Sequence, residues 1–298
     1  MIIDIVTPTY NRDRFLAETL ESVITQKTNG KINYYIMDGG STDNTVEIAK
    51  TWKARAQTMN SDLTIDIEVG NDKGMYDAIF KGFNKGSGDI MAWINSDDIY
   101  MPHALNVVSQ VFQDHPDIEW ISGIPSFINT QSSIIKVRTS FPLKTQSGIK
   151  RGIYNYQNTR KLCPSIQQDC VFWRRHLWNK LDKEFFLKFR NAKYAGDHFL
   201  WSEFAKHTPL FHVESILSGF RIHDSQLTTN LSSYLHEMEA SQPNWMDIFR
   251  SGLLNLPLIN PKLLTPISLE KKHKQLCARL GTGYIFWDRA SEKWIKQY

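Results

Sequence analysis

The 298-residue sequence has no apolar run approaching the roughly 20 residues that cross a bilayer, so no membrane-spanning helix is expected. Its opening, MIIDIVTPTYNR, carries Asp4 early and has no basic leader, and it is not expected to act as a secretion signal. Cysteine is scarce: Cys163, Cys170 and Cys277 form no C-x-x-C pair. An odd number argues against a disulfide framework, so a reducing, cytoplasmic setting is expected, with the three thiols as small buried apolar groups. There is no Walker A sequence, and no G-x-G-x-x-G follows the first apolar run. Phosphates are therefore not held in the usual glycine-loop manner. Zinc-ligand spacing, internal repeats and low-complexity stretches are also missing.

Charge of one sign is scarce over most of the chain. The net charge is +4. An equal excess lies between Glu270 and Tyr298, where Lys271, Lys272, Lys274, Arg279, Arg289, Lys293 and Lys296 outnumber Glu270, Asp288 and Glu292. The remainder is neutral as a body. Nucleic acid is not an expected partner, because a nucleic-acid binder should show a broader basic surface. The basic tail has two readings. It is a solvated face, or, interleaved with Leu276, Leu280, Tyr284, Ile285, Phe286, Trp287, Trp294 and Ile295, it rests on an anionic membrane surface.

What is present is an alternation of short apolar strands and amphipathic helices. Ile2 to Val6 reads as a strand ending at Thr7-Pro8, followed by a helix from about Arg12 to Gln26. Ile32 to Met37 is a second strand, and Asp38-Gly39-Gly40-Ser41-Thr42-Asp43 turns into a helix that runs to about Gln57. Leu63 to Val69 is a third strand, Met75 to Asn84 a helix, Asp89 to Ile94 a fourth strand, and Pro102 starts a helix to about Asp114. This order predicts an open α/β sheet of mostly parallel strands. Thr139 to Leu162 is expected to loop over the site, and Glu184 to His207 to be helical in its second half. Phe211 to Ile222 should form strand broken at Gly219. Prolines at 243, 257, 261 and 266 separate short pieces, so 231–298 is expected to be a helical C-terminal appendage to a domain spanning 1–230.

In open α/β sheets ligands bind at the carboxyl ends of the strands. Polar clusters fall at those ends: Thr7 to Asn11, Asp38, Asp72 and Asn95 to Asp98. The adjacent carboxylates Asp97 and Asp98 end an apolar run. They are either an Asx-type turn or ligands of a cation, since carboxylates and water suit Mg²⁺ or Mn²⁺ bridging to a diphosphate.

The segments TPTYNR (Thr7 to Arg12), DGGSTDNT (Asp38 to Thr45), DKGMYDA (Asp72 to Ala78), GDIMAWINSDD (Gly88 to Asp98), QQDCVFWRR (Gln167 to Arg175), GDHFLW (Gly196 to Trp201) and FRIHDSQLT (Phe220 to Thr228) occur in order. Together the sequence resembles a family 2 glycosyltransferase of GT-A fold, of the bacterial polysaccharide-assembly kind. The resemblance implies inverting transfer of a sugar, from a nucleotide-diphosphate donor (a uridine donor favoured) to a hydroxyl of a glycan or lipid-linked acceptor. It implies that Thr7, Pro8, Tyr10, Asn11 and Gly74 line the nucleotide site, that Asp38 bonds the base, and that Asp72 lies beside base and ribose. Asn95, Ser96 and Asp97 would meet the ribose or the metal shell. Asp98 would ligate Mn²⁺ or Mg²⁺, His223 would reach metal or diphosphate, and Asp197 would be the general base. Tyr76, Asp77, Gln167, Gln168 and Trp173 would contact donor sugar or acceptor. Arg221 pairs with phosphate or with Asp224. Where relatives often have Asp, this chain has Asn95, and Gly196 stands where many have Glu.

Each residue also has a plainer reading. Asp77 and Asp197 could cap helices, and Trp173 could be core. Two rival functions remain open at this level: a metal-dependent nucleotidyl- or phosphotransferase, and a non-catalytic nucleotide-sugar-binding module.

Overall fold

The computed structural model describes residues 1–138, 143–155, 165–224, 226, 231–238 and 267–298. Of the loop expected over Thr139 to Leu162, residues 139–142 and 156–162 fall outside the described residues, as do Cys163 and, within FRIHDSQLT, Ser225, Leu227 and Thr228.

The first half alternates as the sequence predicts. β1 (Ile2–Thr9), β2 (Lys31–Asp38), β3 (Leu63–Val69) and β4 (Ile90–Trp93) are separated by α1 (Asp13–Ile24), α2 (Thr45–Met59) and α3 (Met75–Lys85). β1 pairs in parallel with both β2 and β4, and β2 with β3. Next come β5 (Ile99–Tyr100), α4 (Ala104–Asp114), β6 (Trp120–Ser122), β7 (Ser126–Ile128), β8 (Ile134–Val137) and α5 (Gln146–Lys150). β9 (Val171–Arg174) leads into α6 (Arg175–Trp178), α7 (Lys183–Asn191) and α8 (Gly196–His207). β10 (Phe211–Val213), β11 (Ser218–Arg221), α9 (Leu231–Glu237), α10 (Ile267–Leu280), β12 (Gly283–Asp288) and β13 (Lys293–Gln297) follow.

Among the described residues the main sheet has nine strands in the order β13-β12-β10-β6-β9-β4-β1-β2-β3. Only β9 and β13 run against their neighbours. A four-stranded sheet, β5-β11-β7-β8, stands beside it.

Side chains alternate across the main sheet as the pleat requires. Ile3, Ile5, Ile32, Ile36, Ile90, Ala92 and Phe172 face a core closed by α1, α2 and α4. Val6, Met37, Met91, Trp93 and Trp173 face a second core closed by α3, α7 and α8. The second core is aromatic. Trp93 stacks on Trp201 at 5.6 Å and 10°, and Trp173 meets Trp93 edge-on at 5.6 Å. Asp4, which interrupts the first apolar run, is fully buried and accepts from Asn33 Nδ2, Gly88 N and Arg175 at 2.8, 2.8 and 2.5 Å. It ties the amino end of β1 to β9's far end, away from the polar edge.

Three expectations are corrected. The stretch 283–297 is not a helical appendage. β12 pairs in parallel with β10 and β13 closes the sheet edge. Tyr284, Ile285 and Trp294 are buried there, while Trp287 stays 44% exposed. Only α9 and α10 are helical in the described part of 231–298. Gly219 lies within β11, and the break in that region falls between Val213 and Ser218. The first half of Glu184 to His207 is also helical, since Asp182 caps α7 by accepting from Phe185 N at 2.7 Å. Among the described residues no helix is long and apolar enough to cross a membrane.

Trp294 also donates from its indole to Gln110 Oε1 at 3.1 Å, and its carbonyl meets His115 Nε2 at 2.8 Å, both at α4. Trp294→Ala is expected to destabilise the whole molecule by about 3 kcal/mol. Urea unfolding should show one shifted transition. A separate early transition with the main one unmoved would mean that these strands are an independent unit.

Candidate active site

The carboxyl ends of β1 and β4, the β3–α3 turn and the turn before β9 surround a cavity of about 320 Å³. Pro8 and Tyr10 line it from β1, and Asp72, Gly74 and Tyr76 from the β3–α3 turn. Asn95, Ser96 and Asp97 line it after β4, and Gln167 and Gln168 before β9. Asp197 closes it from α8. These residues lie far apart in the chain, yet they converge on one edge.

The β1 end begins the wall. Tyr10 is 57% exposed at the mouth. Thr7 points the other way. It is fully buried and its hydroxyl meets Tyr34 OH at 2.9 Å. The pleat decides this, because Thr7 falls on the face opposite Pro8. Asn11, at φ 52°, accepts from Thr42 N through Oδ1 at 2.9 Å, and its own N–H donates to Ser41 Oγ. It clasps the β2–α2 loop instead of facing the cavity. Asp38 serves the same loop: Oδ1 accepts from Gly40 N and Ser41 N at 3.0 and 2.8 Å, and Oδ2 from Ser41 Oγ at 2.5 Å. Thr7, Asn11 and Asp38 thus build the walls behind the site.

The β3–α3 turn is fixed from within. Asp72 Oδ1 accepts from Gly74 N at 2.8 Å, and burial raises the pKa of its carboxyl. Gly74 sits at φ +126°, a conformation that an L side chain resists, and so lets α3 begin at Met75. Asp77, expected near the sugar, is instead a buried structural anion. Burial alone would raise its pKa, but Arg190 at 2.7 Å, the Lys73 amide and Lys81 hold it below the usual range. Trp173 is fully buried in the aromatic core, so its expected ligand role is corrected too.

The two adjacent aspartates part company. Asp97 lines the cavity, and its Oδ2 lies 3.0 Å from His223 Nε2. Asp98 turns inward at 1% exposure. Its Oδ1 accepts from Arg221 N at 2.8 Å, and its Oδ2 meets Asn95 Nδ2 at 3.3 Å. Burial first, then Asp97 and Asp169, push its pKa well up. The sequence expectation put the cation on Asp98, but of the two carboxylates it is Asp97 that lines the cavity. Arg221 has no side-chain exposure and is not a phosphate ligand. It donates to Asp97 O at 2.7 Å, Asn129 O at 3.0 Å and Glu18 Oε2 at 2.9 Å, and it lies over the Phe15 ring. It fixes the backbone from which Asp97 projects.

The donor set at Asp97 fits a hard divalent cation in part. Asp97 offers carboxylate oxygen and His223 imidazole. Asn95, in place of an acid, spends its amide N–H on Asp98, and its buried Oδ1 has no partner among the described residues. Among the described residues no group of three or more His, Cys, Asp or Glu side chains is placed so that it could hold a metal ion by itself. Such a partial shell matches a cation that takes its remaining ligands from phosphate and water.

Asp197 occupies the first turn of α8. Its Oδ1 accepts from His198 N at 2.8 Å and Tyr76 OH at 3.4 Å. Burial pushes its pKa up to about 6. The glycine at 196 has a physical reason: a Cβ there would lie 2.6 Å from the Tyr76 ring. Glu237 at the end of α9 clamps the preceding turn, accepting from Lys193, Tyr194 and Ala195 N–H at 2.7, 2.6 and 2.8 Å.

Sequence reading missed Arg12, Trp93, Asp169, Tyr194, Phe220 and Tyr234 among the lining residues. Asp169 had a signal, a charge inside QQDC just before an apolar strand.

A three-layer α/β/α sandwich with this polar edge is the GT-A arrangement, and solved structures agree. The chain is similar to S. aureus TarS in complex with UDP-GlcNAc, with TM-score 0.56 and 13% identity over 94% of this chain and 80% of that one. It is equally similar to a mannosyltransferase from Pyrobaculum calidifontis in complex with GDP-Man and Mn²⁺, with TM-score 0.56 and 15% identity over 94% and 75%. The chain belongs to glycosyl transferase family 2, whose family model matches residues 4–182. Among curated relatives, a PGL/p-HBAD biosynthesis glycosyltransferase of Mycobacterium bovis is 29% identical over 60% of this chain and 62% of its own length. An uncharacterized glycosyltransferase of Nostoc is 32% identical over 38% and 33%. The matched region thus spans between a third and under two thirds of these relatives.

The raised pKa of Asp197 has a cost in stability. In the fold its carboxyl holds a proton up to about pH 6, whereas its ordinary value is 3.8. A proton bound more tightly in the fold stabilises at low pH, and that contribution is lost as pH rises through this window. Asp197→Asn should therefore be more stable than wild type at pH 7.5 by about 1–2 kcal/mol, with the gap closing at pH 4. Urea titrations at the two pH values check this, and an equal difference at both would contradict it.

Proposed function

We propose that the protein is an inverting, metal-dependent glycosyltransferase that moves a sugar from a nucleotide-diphosphate donor to an acceptor hydroxyl. One observation carries this reading: a single cavity is lined both by Asp97, in contact with His223, and by Asp197, a carboxyl with its pKa near 6. The first pair suits a diphosphate held through a cation, and the second a proton acceptor.

In this reading Tyr10 and Asp72 flank the nucleoside at the mouth. Asp97, His223 and the Asn95 amide oxygen would hold Mn²⁺ or Mg²⁺, which would neutralise charge on the departing diphosphate. Asp197 takes the proton of the acceptor hydroxyl as that oxygen attacks the anomeric carbon. Oδ1 is already engaged by His198 N and Tyr76, so Oδ2 is the receiving atom. One displacement needs one base and no protein nucleophile, so the anomeric configuration inverts. The nearby low-dielectric walls keep Asp197 basic enough for the task at neutral pH.

UDP-sugars come first among donors on the family resemblance, and GDP-sugars are tested beside them, since one structural neighbour carries UDP-GlcNAc and the other GDP-Man. A glycan or lipid-linked acceptor is the one the family resemblance implies; the mycobacterial relative is named for PGL/p-HBAD biosynthesis. In the cell, the exposed Lys274, Arg279, Arg289 and Lys293 would face an anionic membrane surface on the cytoplasmic side.

A thermal-shift screen of nucleotide sugars with and without Mn²⁺ is the direct test. At least one donor should raise the melting temperature in a metal-dependent way, because ligand binding to the fold alone stabilises it. Asp97→Ala should abolish that metal dependence. Asp197→Ala should keep the shift and lower turnover by about 10²- to 10⁴-fold. In wild type, kcat should rise with pH through about 6 as Asp197 ionises. Released nucleoside diphosphate marks glycosyl transfer, whereas pyrophosphate or a phosphorylated acceptor would replace this reading with a nucleotidyl- or phosphotransferase. Normal turnover in Asp197→Ala would remove the base assignment.

A further inference from the structure

Four side-chain atoms at the cavity are buried with no hydrogen-bond partner among the described residues: Thr9 Oγ1, Asn95 Oδ1, Gln168 Oε1 and Asp169 Oδ1. Buried polar atoms are rarely left unpaired, and a group of them around one cavity points to a ligand that completes them. Asn95 Oδ1 lies with the cation-holding group already described. Gln168 and Asp169 form a separate group on the turn before β9.

Both are oriented by their second atom. Asp169, 1% exposed, uses Oδ2 to accept from Ser218 Oγ at 2.5 Å and Gln167 Nε2 at 3.0 Å. Gln168 donates from Nε2 to Trp93 O at 2.7 Å. Each side chain is therefore anchored, and each presents one oxygen that can only accept. Two fixed acceptors on consecutive residues of one cavity wall match O–H donors, and a hexose offers several on adjacent carbons.

Their position says which sugar. Trp93 is the last residue of β4, two before Asn95, and the Asp97 carboxylate is near enough to act electrostatically on Asp169. The pair thus lies beside the diphosphate end of the cavity, where the donor's sugar must sit.

We propose that Asp169 joins Gln168, which the family resemblance already puts at donor sugar or acceptor, in a sugar-reading subsite that accepts hydrogen bonds from two hydroxyls of a neutral hexose on the donor. Asp169 also makes the subsite hostile to a donor whose sugar carries a carboxylate, because two anions would be forced together in a place poor in water. The inference rests on the nucleotide-sugar reading above and adds the class of sugar: neutral, with free ring hydroxyls.

Calorimetric titration with Mn²⁺ present tests it. The ligands are UDP and GDP, their conjugates with neutral hexoses and N-acetylhexosamines, and UDP-glucuronate. In wild type at least one neutral conjugate should bind more tightly than its bare diphosphate, and UDP-glucuronate more weakly than UDP. In Asp169→Asn the best neutral conjugate should weaken by about 10- to 100-fold, the loss expected for a hydrogen bond to a charged group. Affinity for the bare diphosphate should stay within about twofold, and the penalty on UDP-glucuronate should shrink. Gln168→Ala should weaken the neutral conjugate by about tenfold with the same selectivity. An unchanged sugar contribution in both variants overturns the subsite and leaves the proposed function standing. An equal loss for the bare diphosphate assigns both residues a structural role and also overturns it. If neither UDP nor GDP binds wild type, the nucleotide-sugar reading falls and the subsite with it.

Discussion

Like charge crowded into a poorly solvated corner is the constraint around which this molecule is organised. Asp97, Asp98 and Asp169 gather at one edge of the sheet, and Asp197 faces the same cavity. Burial raises the pKa of Asp98, Asp169 and Asp197, because a poorly solvated corner disfavours their ionised forms. Each carboxyl receives just enough hydrogen bonding to be held in place. Asp98 takes the Arg221 amide and Asn95, Asp97 takes His223, Asp169 takes Ser218 and Gln167, and Asp197 takes His198 N and Tyr76. The buried guanidinium of Arg221 sits behind this group and binds carbonyls as well as Glu18, so it stiffens the corner without filling the cavity.

Local pattern revealed most of the first half. Apolar runs and helical spacing located β1 to β4 and the helices between them within a few residues, because each element carries its own period and its own turn. The polar clusters at strand ends were visible for the same reason. Orientation within those clusters was not. Thr7 and Pro8 are neighbours, yet the pleat sends one into the core and the other to the cavity. Asp97 and Asp98 are also neighbours, and a turn decides which faces inward. A shift of one residue reverses the assignment, and composition carries no trace of it.

Long-range pairing was the other blind spot. The run Gly283–Asp288 is apolar and aromatic, with lysines nearby on either side, and that pattern suits a surface-lying segment as well as a strand. Only its register with β10 and the fit of Trp294 against α4 settle the matter, and those partners lie far away in sequence. Asp169 escaped for a different reason. A charge beside Cys170 and an apolar strand reads as a strand end. Its meaning comes from Ser218 on β11, which anchors one oxygen and frees the other.

The clamp formed by Glu237 ties two parts of the cavity together. Tyr234 on α9 contributes to its wall, and Glu237 on the same helix grips the amides just ahead of Asp197. Because one helix supplies both, the wall at Tyr234 and the turn that leads into Asp197 cannot shift independently of each other.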